Sequence, residues 1–144
     1  MSTATSEVSS APCKLCDMAH PAAPVTDLDG DQHWTLFINH DRIPGSIWIR
    51  SNAHVEGLWN LSDEESGSFG TMVRRAAQLL RREYGAEKTY LLSLGERLAH
   101  VHALVIARIE GAHGGAQGLD LLMTHLESRP EHAVTALDAI GGGT

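Results

Sequence analysis

Two short stretches of this 144-residue chain carry residues that do chemistry: HVHALV at 100–105 and CKLC at 13–16. If HVHALV is extended, positions 100, 102 and 104 share one face, which then reads histidine, histidine, leucine. An imidazole is nucleophilic and substantially neutral near pH 7, and it also ligates metals. A hydrogen-bonded structural pair and a functional pair both fit that strand taken alone. The CKLC spacing is too tight for a framework disulfide and suits a zinc site or a redox pair. A redox pair usually opens a helix after a strand. These cysteines precede the first predicted strand, which favours zinc. They are the only two in the chain, so the remaining ligands must be imidazoles or carboxylates, and nine histidines are available.

Those residues need elements to position them. APVTDL and HWTLFI flank the turn-rich DGDQ and predict a hairpin with Gly30 in the turn. RIPGS leads into a third strand over 46–50, followed by the irregular or helical NAHVEGLWN. The clearest element is a long helix over LSDEESGSFGTMVRRAAQLLRREYG. Ser62 and Glu65 fit a capping box, three acids occupy the first turn, and Gly85 is a natural stop. Phe69, Met72, Val73, Ala76, Leu79 and Leu80 recur at helical spacing and define the stripe that faces a core. Strands are predicted over 88–94 and 100–108, joined by GERLA. LDLLMTHLES and PEHAVTALDAI then read as two C-terminal helical segments, with Pro130 early in the second. Hairpin strands with one long helix between them make an α+β domain on a mainly antiparallel sheet.

The whole chain sets bounds on the chemistry. Apolar residues make up 42% and charged residues 20%, an ordinary globular balance. Residues 1–12 read as a disordered lead-in, 13–140 as a single domain and 141–144 as a loose end. The lead-in MSTATSEVSSAP has neither the basic nor the apolar region of a signal peptide, and no apolar run is long enough to span a bilayer. A cytoplasmic protein without a membrane partner is the expectation. A formal charge of −7 argues against a nucleic-acid partner, since phosphate neutralisation needs a basic surface. It leaves room for a local basic pocket that takes a small phosphate compound.

Three segments carry a family resemblance: PGSIWIRSNAH, LSDEE with the helix that follows, and LGERLAHVHALVIAR. In that order they resemble the glycine turn and strand ending in histidine, the amphipathic helix, and the signature strand of the histidine triad (HIT) superfamily of nucleotidyl hydrolases and transferases. Gly95, five residues before the first signature histidine, and Arg108, eight residues after it, both match. The resemblance covers most of residues 13 to 108 and implies a HIT-like α+β fold and a homodimer. It makes His102 the nucleophile that attacks the α-phosphorus of a small nucleotide derivative, with its tautomer fixed by the carbonyl of His100. It places Asn39, Ser93, Arg97 and Arg108 at the substrate. Asn39 is the weakest of these carry-overs, because the loop before Gly45 is a residue short. Some members, galactose-1-phosphate uridylyltransferase among them, also carry a CxxC zinc site. By that analogy Cys13, Cys16, His54 and His100 hold a structural zinc with no open position. His20, His33 and His40 are rival ligands, with His20 the first among them.

Two departures qualify the resemblance. Leu104 stands where the third signature histidine is expected, and leucine offers neither a donor nor a proton. The loop reads Gly95, Glu96, Arg97 where many members carry glycine–glutamine–serine; Glu96 reads as a solvent-facing charge, and Arg97 would attract a phosphate. Trp34, Trp48 and Trp59 could line a base pocket, although aromatic residues on strands are more often core. Two other functions therefore stand beside nucleotidyl transfer: acid–base chemistry on a non-nucleotide substrate, and nucleotide binding without catalysis.

Overall fold

A computed structural model describes residues 13–18 and 23–127. The lead-in, His20 and the second C-terminal helical segment lie outside the described residues. The first element is a single turn, α1 (Lys14–Asp17), N-capped by Cys13, whose Sγ accepts from the Cys16 amide at 3.4 Å. The cysteine motif thus does open a helical turn, though a very short one. Strands β1 (Val25–Gly30), β2 (Trp34–Asn39), β3 (Ser46–Ser51), β4 (Lys88–Leu92) and β5 (His102–Arg108) form one sheet in the order β1-β2-β3-β5-β4. Every neighbouring pair is antiparallel.

The first hairpin is closed by Asp31, whose carboxylate accepts from the His33 and Trp34 amides, both at 2.8 Å. Gly30 is the last residue of β1 rather than part of the turn. A Cβ there would stand 2.5 Å from the Trp34 carbonyl oxygen, so close backbone approach is what requires glycine. The long helix α2 (Asp63–Tyr84) joins β3 to β4 after a short 3₁₀ turn at Leu58–Asn60. Its capping box is complete: Ser62 Oγ accepts from the Glu65 amide at 3.1 Å, and Glu65 Oε1 accepts from the Ser62 amide at 2.8 Å. Gly85 ends it at φ 64°, in the left-handed region.

Alternation sorts each central strand into two faces. Trp34, Leu36, Ile47, Ile49, Ala103, Val105 and Ala107 pack with Met72, Ala76 and Leu80 of α2. The predicted partners Phe69, Val73 and Leu79 flank that cluster, half-buried. Phe37, Trp48, Leu104 and Ile106 face the other way, against Leu15 of α1 and Leu121 of α3 (Gly118–Glu127). Among the described residues, no helix is long and apolar enough to cross a membrane.

The signature strand starts two residues later than predicted. Its ladder begins with the Arg50–His102 pair, whereas His100 lies at a bend before it. His102 and Leu104 share a sheet face as expected, but His100 is outside the ladder. The cause is local: Val101 bonds to both sides, its amide donating to Val55 O at 2.6 Å and its carbonyl accepting from the Ser51 amide at 3.1 Å. β4 likewise stops at Leu92.

Candidate active and metal site

His102 sits at the start of β5, almost enclosed at 8% exposure. Its ring lies parallel to Trp48, with centroids 5.5 Å apart and planes 11° from coplanar. Its Nδ1–H donates to the carbonyl of His100 at 2.7 Å. That bond fixes one tautomer and leaves Nε2 with a free lone pair. Burial pushes the imidazole pKa below its usual value, against the smaller opposing effect of the bond to His100, so the ring is held neutral at pH 7. Ser93 is next to it: Ser93 Oγ donates to the His102 carbonyl at 2.7 Å, tying the end of β4 to the start of β5. Leu104, two residues on, is buried on the same face.

The second centre gathers Cys13, Cys16, His54 and His100, whose ligand atoms lie within 4.8 Å of one another. Cys13 Sγ is 3.4 Å from His100 Nδ1; Cys16 Sγ is 3.3 Å from His54 Nδ1 and 3.5 Å from His100 Nδ1. Ligands around a tetrahedral ion at zinc bond lengths stand roughly 3.3–3.8 Å apart, so this donor set fits such an ion. The far ring nitrogens are engaged in the way metal-bound histidines require. His100 Nε2–H donates to the Ser51 carbonyl at 2.8 Å, and His54 Nε2–H to Glu56 Oε2 at 3.1 Å. Burial, followed by the hydrogen bond and charge of Cys13, pushes the Cys16 thiol up to about 11. A divalent cation between the sulfurs would draw both thiols down to thiolates. Of the other histidines named above, His40 bonds Thr26 Oγ1 through Nε2 at 2.8 Å, and His33 stands at the β1–β2 turn.

The remaining sequence candidates are dispersed. Asn39 is buried at the end of β2, where its Oδ1 accepts from the Asp41 amide at 3.0 Å. It lies level with the far half of β5, on the His102 face. Arg97 is exposed in the loop after Gly95, which has φ 76°. Arg108 is at the opposite end of β5 from His102, 3.4 Å from Glu87 Oε2. Of the tryptophans, Trp34 is core beneath α2 and Trp59 is 86% exposed; only Trp48 touches His102.

One residue was missed. Arg50 is the cross-strand partner of His102, 7% exposed on a strand whose six residues are all buried. Its guanidinium carbon lies 5.0 Å from the Phe37 ring centroid, and its nearest carboxylate among the described residues, Asp27, is 4.0 Å away. Among the described residues, Arg50 Nη1 has no hydrogen-bond partner. The sequence offered only a lone charge on the same alternation as Trp48 in SIWIRS, a pattern that ordinarily marks a solvated face.

No family model and no curated protein matches the chain. Solved structures do. A HIT family protein from Bacillus subtilis superposes with a TM-score of 0.63 at 19% identity, over 93% of this chain and 98% of its own. A zinc-bound histidine triad family protein from Mycobacterium smegmatis gives 0.62 at 16% identity, over 92% and 97%. A HIT family hydrolase from Legionella pneumophila gives 0.53 at 18% identity, over 73% and 100%. The chain has the histidine triad fold, and that fold here carries a Cys₂His₂ cluster beside the start of β5.

Proposed function

We propose that this protein is a HIT-type nucleotidyl hydrolase or transferase acting on a small nucleotide derivative through His102, with a structural zinc on Cys13, Cys16, His54 and His100. The observation that carries the reading is the 2.7 Å bond from His102 Nδ1 to the His100 carbonyl, which frees Nε2 on a ring held neutral by burial. In the first step the Nε2 lone pair forms an N–P bond to the α-phosphorus. The bond from phosphorus to the leaving group breaks, and that group departs with the electron pair and takes up a proton from solvent water. Water or another acceptor then attacks phosphorus, gives up its proton, and returns the N–P electron pair to Nε2. Ser93 holds the His102 backbone in place during both steps.

Bound zinc would supply no reacting position, because four protein ligands close its coordination. Its part is to fix His100, and through the His100 carbonyl the tautomer of the nucleophile. A second reading, nucleotide binding without turnover, is favoured by Leu104, which offers no donor beside His102. Mass spectrometry of protein incubated with adenylated candidate substrates separates the two. The expected result is a nucleotidyl adduct on the wild-type chain and none on His102→Ala, with equal metal content. A His102→Ala protein that keeps full activity ends the nucleophile reading.

A further inference from the structure

Strand β3 is buried from end to end, and Arg50 is the only charge on it. A guanidinium taken out of water costs several kcal/mol unless it is paired or hydrogen-bonded. Its nearest carboxylate does little to offset that. Asp27 Oδ1 is 4.0 Å away, beyond hydrogen-bond reach, on a side chain that is 62% exposed. The Phe37 ring beneath it contributes a cation–π contact but accepts no N–H. The adjacent metal centre does not neutralise it either, since a divalent ion with two thiolates and two neutral imidazoles sums to zero. A second buried donor on this strand face, Trp48 Nε1, likewise has no partner among the described residues. Arg50 also lines a hollow of about 330 Å³ together with Leu15, Asn52 and two residues of the metal cluster, Cys16 and His100, so this space borders the metal centre on one side.

We propose that Arg50 is an anion-holding residue, and that the hollow it lines takes a phosphate-like group of the substrate other than the phosphorus attacked by His102. The direction of the side chain decides which group. Arg50 reaches from β3 across β2 towards Asp27 on β1, whereas His102 lies on β5, the neighbour on the opposite side. The guanidinium is therefore displaced to the side of the nucleophile. The substrate class that fits carries at least two anionic groups: one phosphorus at His102 and a second phosphate in the hollow. A planar guanidinium can offer that second phosphate two parallel N–H bonds. The assignment of the two groups rests on the nucleotidyl reading above; the anion site itself does not.

Inorganic phosphate is the probe, titrated into full-length, metal-loaded protein at constant ionic strength while the thermal midpoint and zinc content are followed. The wild-type midpoint should rise with phosphate, and His102→Ala should keep the rise. Arg50→Gln should lower the apparent phosphate affinity about tenfold or more at unchanged zinc content, and without phosphate it should be no less stable than wild type. Arg50→Lys keeps the charge but loses the fork and should bind several-fold more weakly, which keeps the test decisive if the glutamine variant does not fold. Asp27→Asn should bind phosphate at least as well as wild type. The proposal is overturned if wild type shows no rise, if the rise survives in Arg50→Gln, or if that variant loses zinc, which would make Arg50 a support for the thiolates. An adduct on His102 without a phosphate effect would remove the anion site and leave the nucleophile. A phosphate effect without an adduct would do the reverse.

Discussion

His102 donates through Nδ1 to a backbone carbonyl, while the Nδ1 of His100 is turned to two sulfurs, so the same ring atom has opposite duties two residues apart. The sequence made the pair visible but left open which imidazole serves the metal centre; a resemblance supplied that division. Arg50 was not legible in the same way, because a single charge in a predicted strand normally marks a solvated face. Only the packing of α2 against one face of the sheet and of α1 and α3 against the other shows that β3 has no such face. Leu104 sits between Trp48 and Leu92 in the ladder, with no donor to offer. Leu104→His should raise nucleotidyl turnover by up to about 10²-fold, the scale of one preorganised donor, measured as steady-state rate on the substrate that gives the adduct. It should also cost about 1–3 kcal/mol in denaturant unfolding where the new imidazole finds no partner. An unchanged rate in a folded variant would favour different chemistry at this site.

At the scale of elements, α2 was the most legible part of the chain, because capping box, acidic first turn and glycine stop all agree with its apolar stripe. Strand ends were less legible. His100 was assigned to a strand because period-2 patterning continues past the ladder, whereas the ladder ends where Val101 bonds to Val55 and Ser51. α3 presents a further feature that spacing could not reveal. His125 is buried at 2% exposure against Gly45 and His113, and among the described residues neither ring nitrogen has a hydrogen-bond partner. Burial, and secondarily the charge of His113, lowers its pKa from 6.5 to about 4. The folded chain therefore binds this proton less readily than the unfolded chain. The stability it secures is intact above about pH 6.5 and is lost as pH falls towards 4, by up to about 3 kcal/mol. Denaturant melts at pH 7 and pH 4.5 should show more of that loss in wild type than in His125→Leu; equal losses would assign the acid sensitivity to other groups.

At the scale of the molecule, the five antiparallel strands of the described residues, with α2 on one face and α1 and α3 on the other, were legible in outline as an α+β sheet. The strand order was not, because β5 inserts between β3 and β4 and pairs with residues more than fifty positions earlier. β4 is left at an edge with Leu91 51% exposed, and Leu94 beyond it is 62% exposed. An unpaired strand edge with apolar neighbours favours association. Light scattering should give twice the 15.5 kDa chain mass, the homodimer that the resemblance implies. Leu91→Lys should shift it towards the monomer, and a wild-type monomer at tens of micromolar would dispose of the expectation.

Leu15 has 0% exposure, yet it belongs to a single helical turn between the two cysteines. So short a helix has no stability of its own. A metal held by the cluster would therefore work as a clasp: it would hold a plug of apolar side chain over Phe37, Trp48 and Leu104 beside His102. Chelation should release that plug before α2 or the sheet unfolds. Limited proteolysis of chelator-treated protein should cut first near residues 13–18, and a dye that binds apolar surface should brighten while far-ultraviolet circular dichroism barely changes. Cys13→Ser should reproduce both effects without chelator. Global unfolding in step with metal loss would mean the clasp secures the entire domain; an early local release would make access to His102 depend on whether the cluster holds a metal.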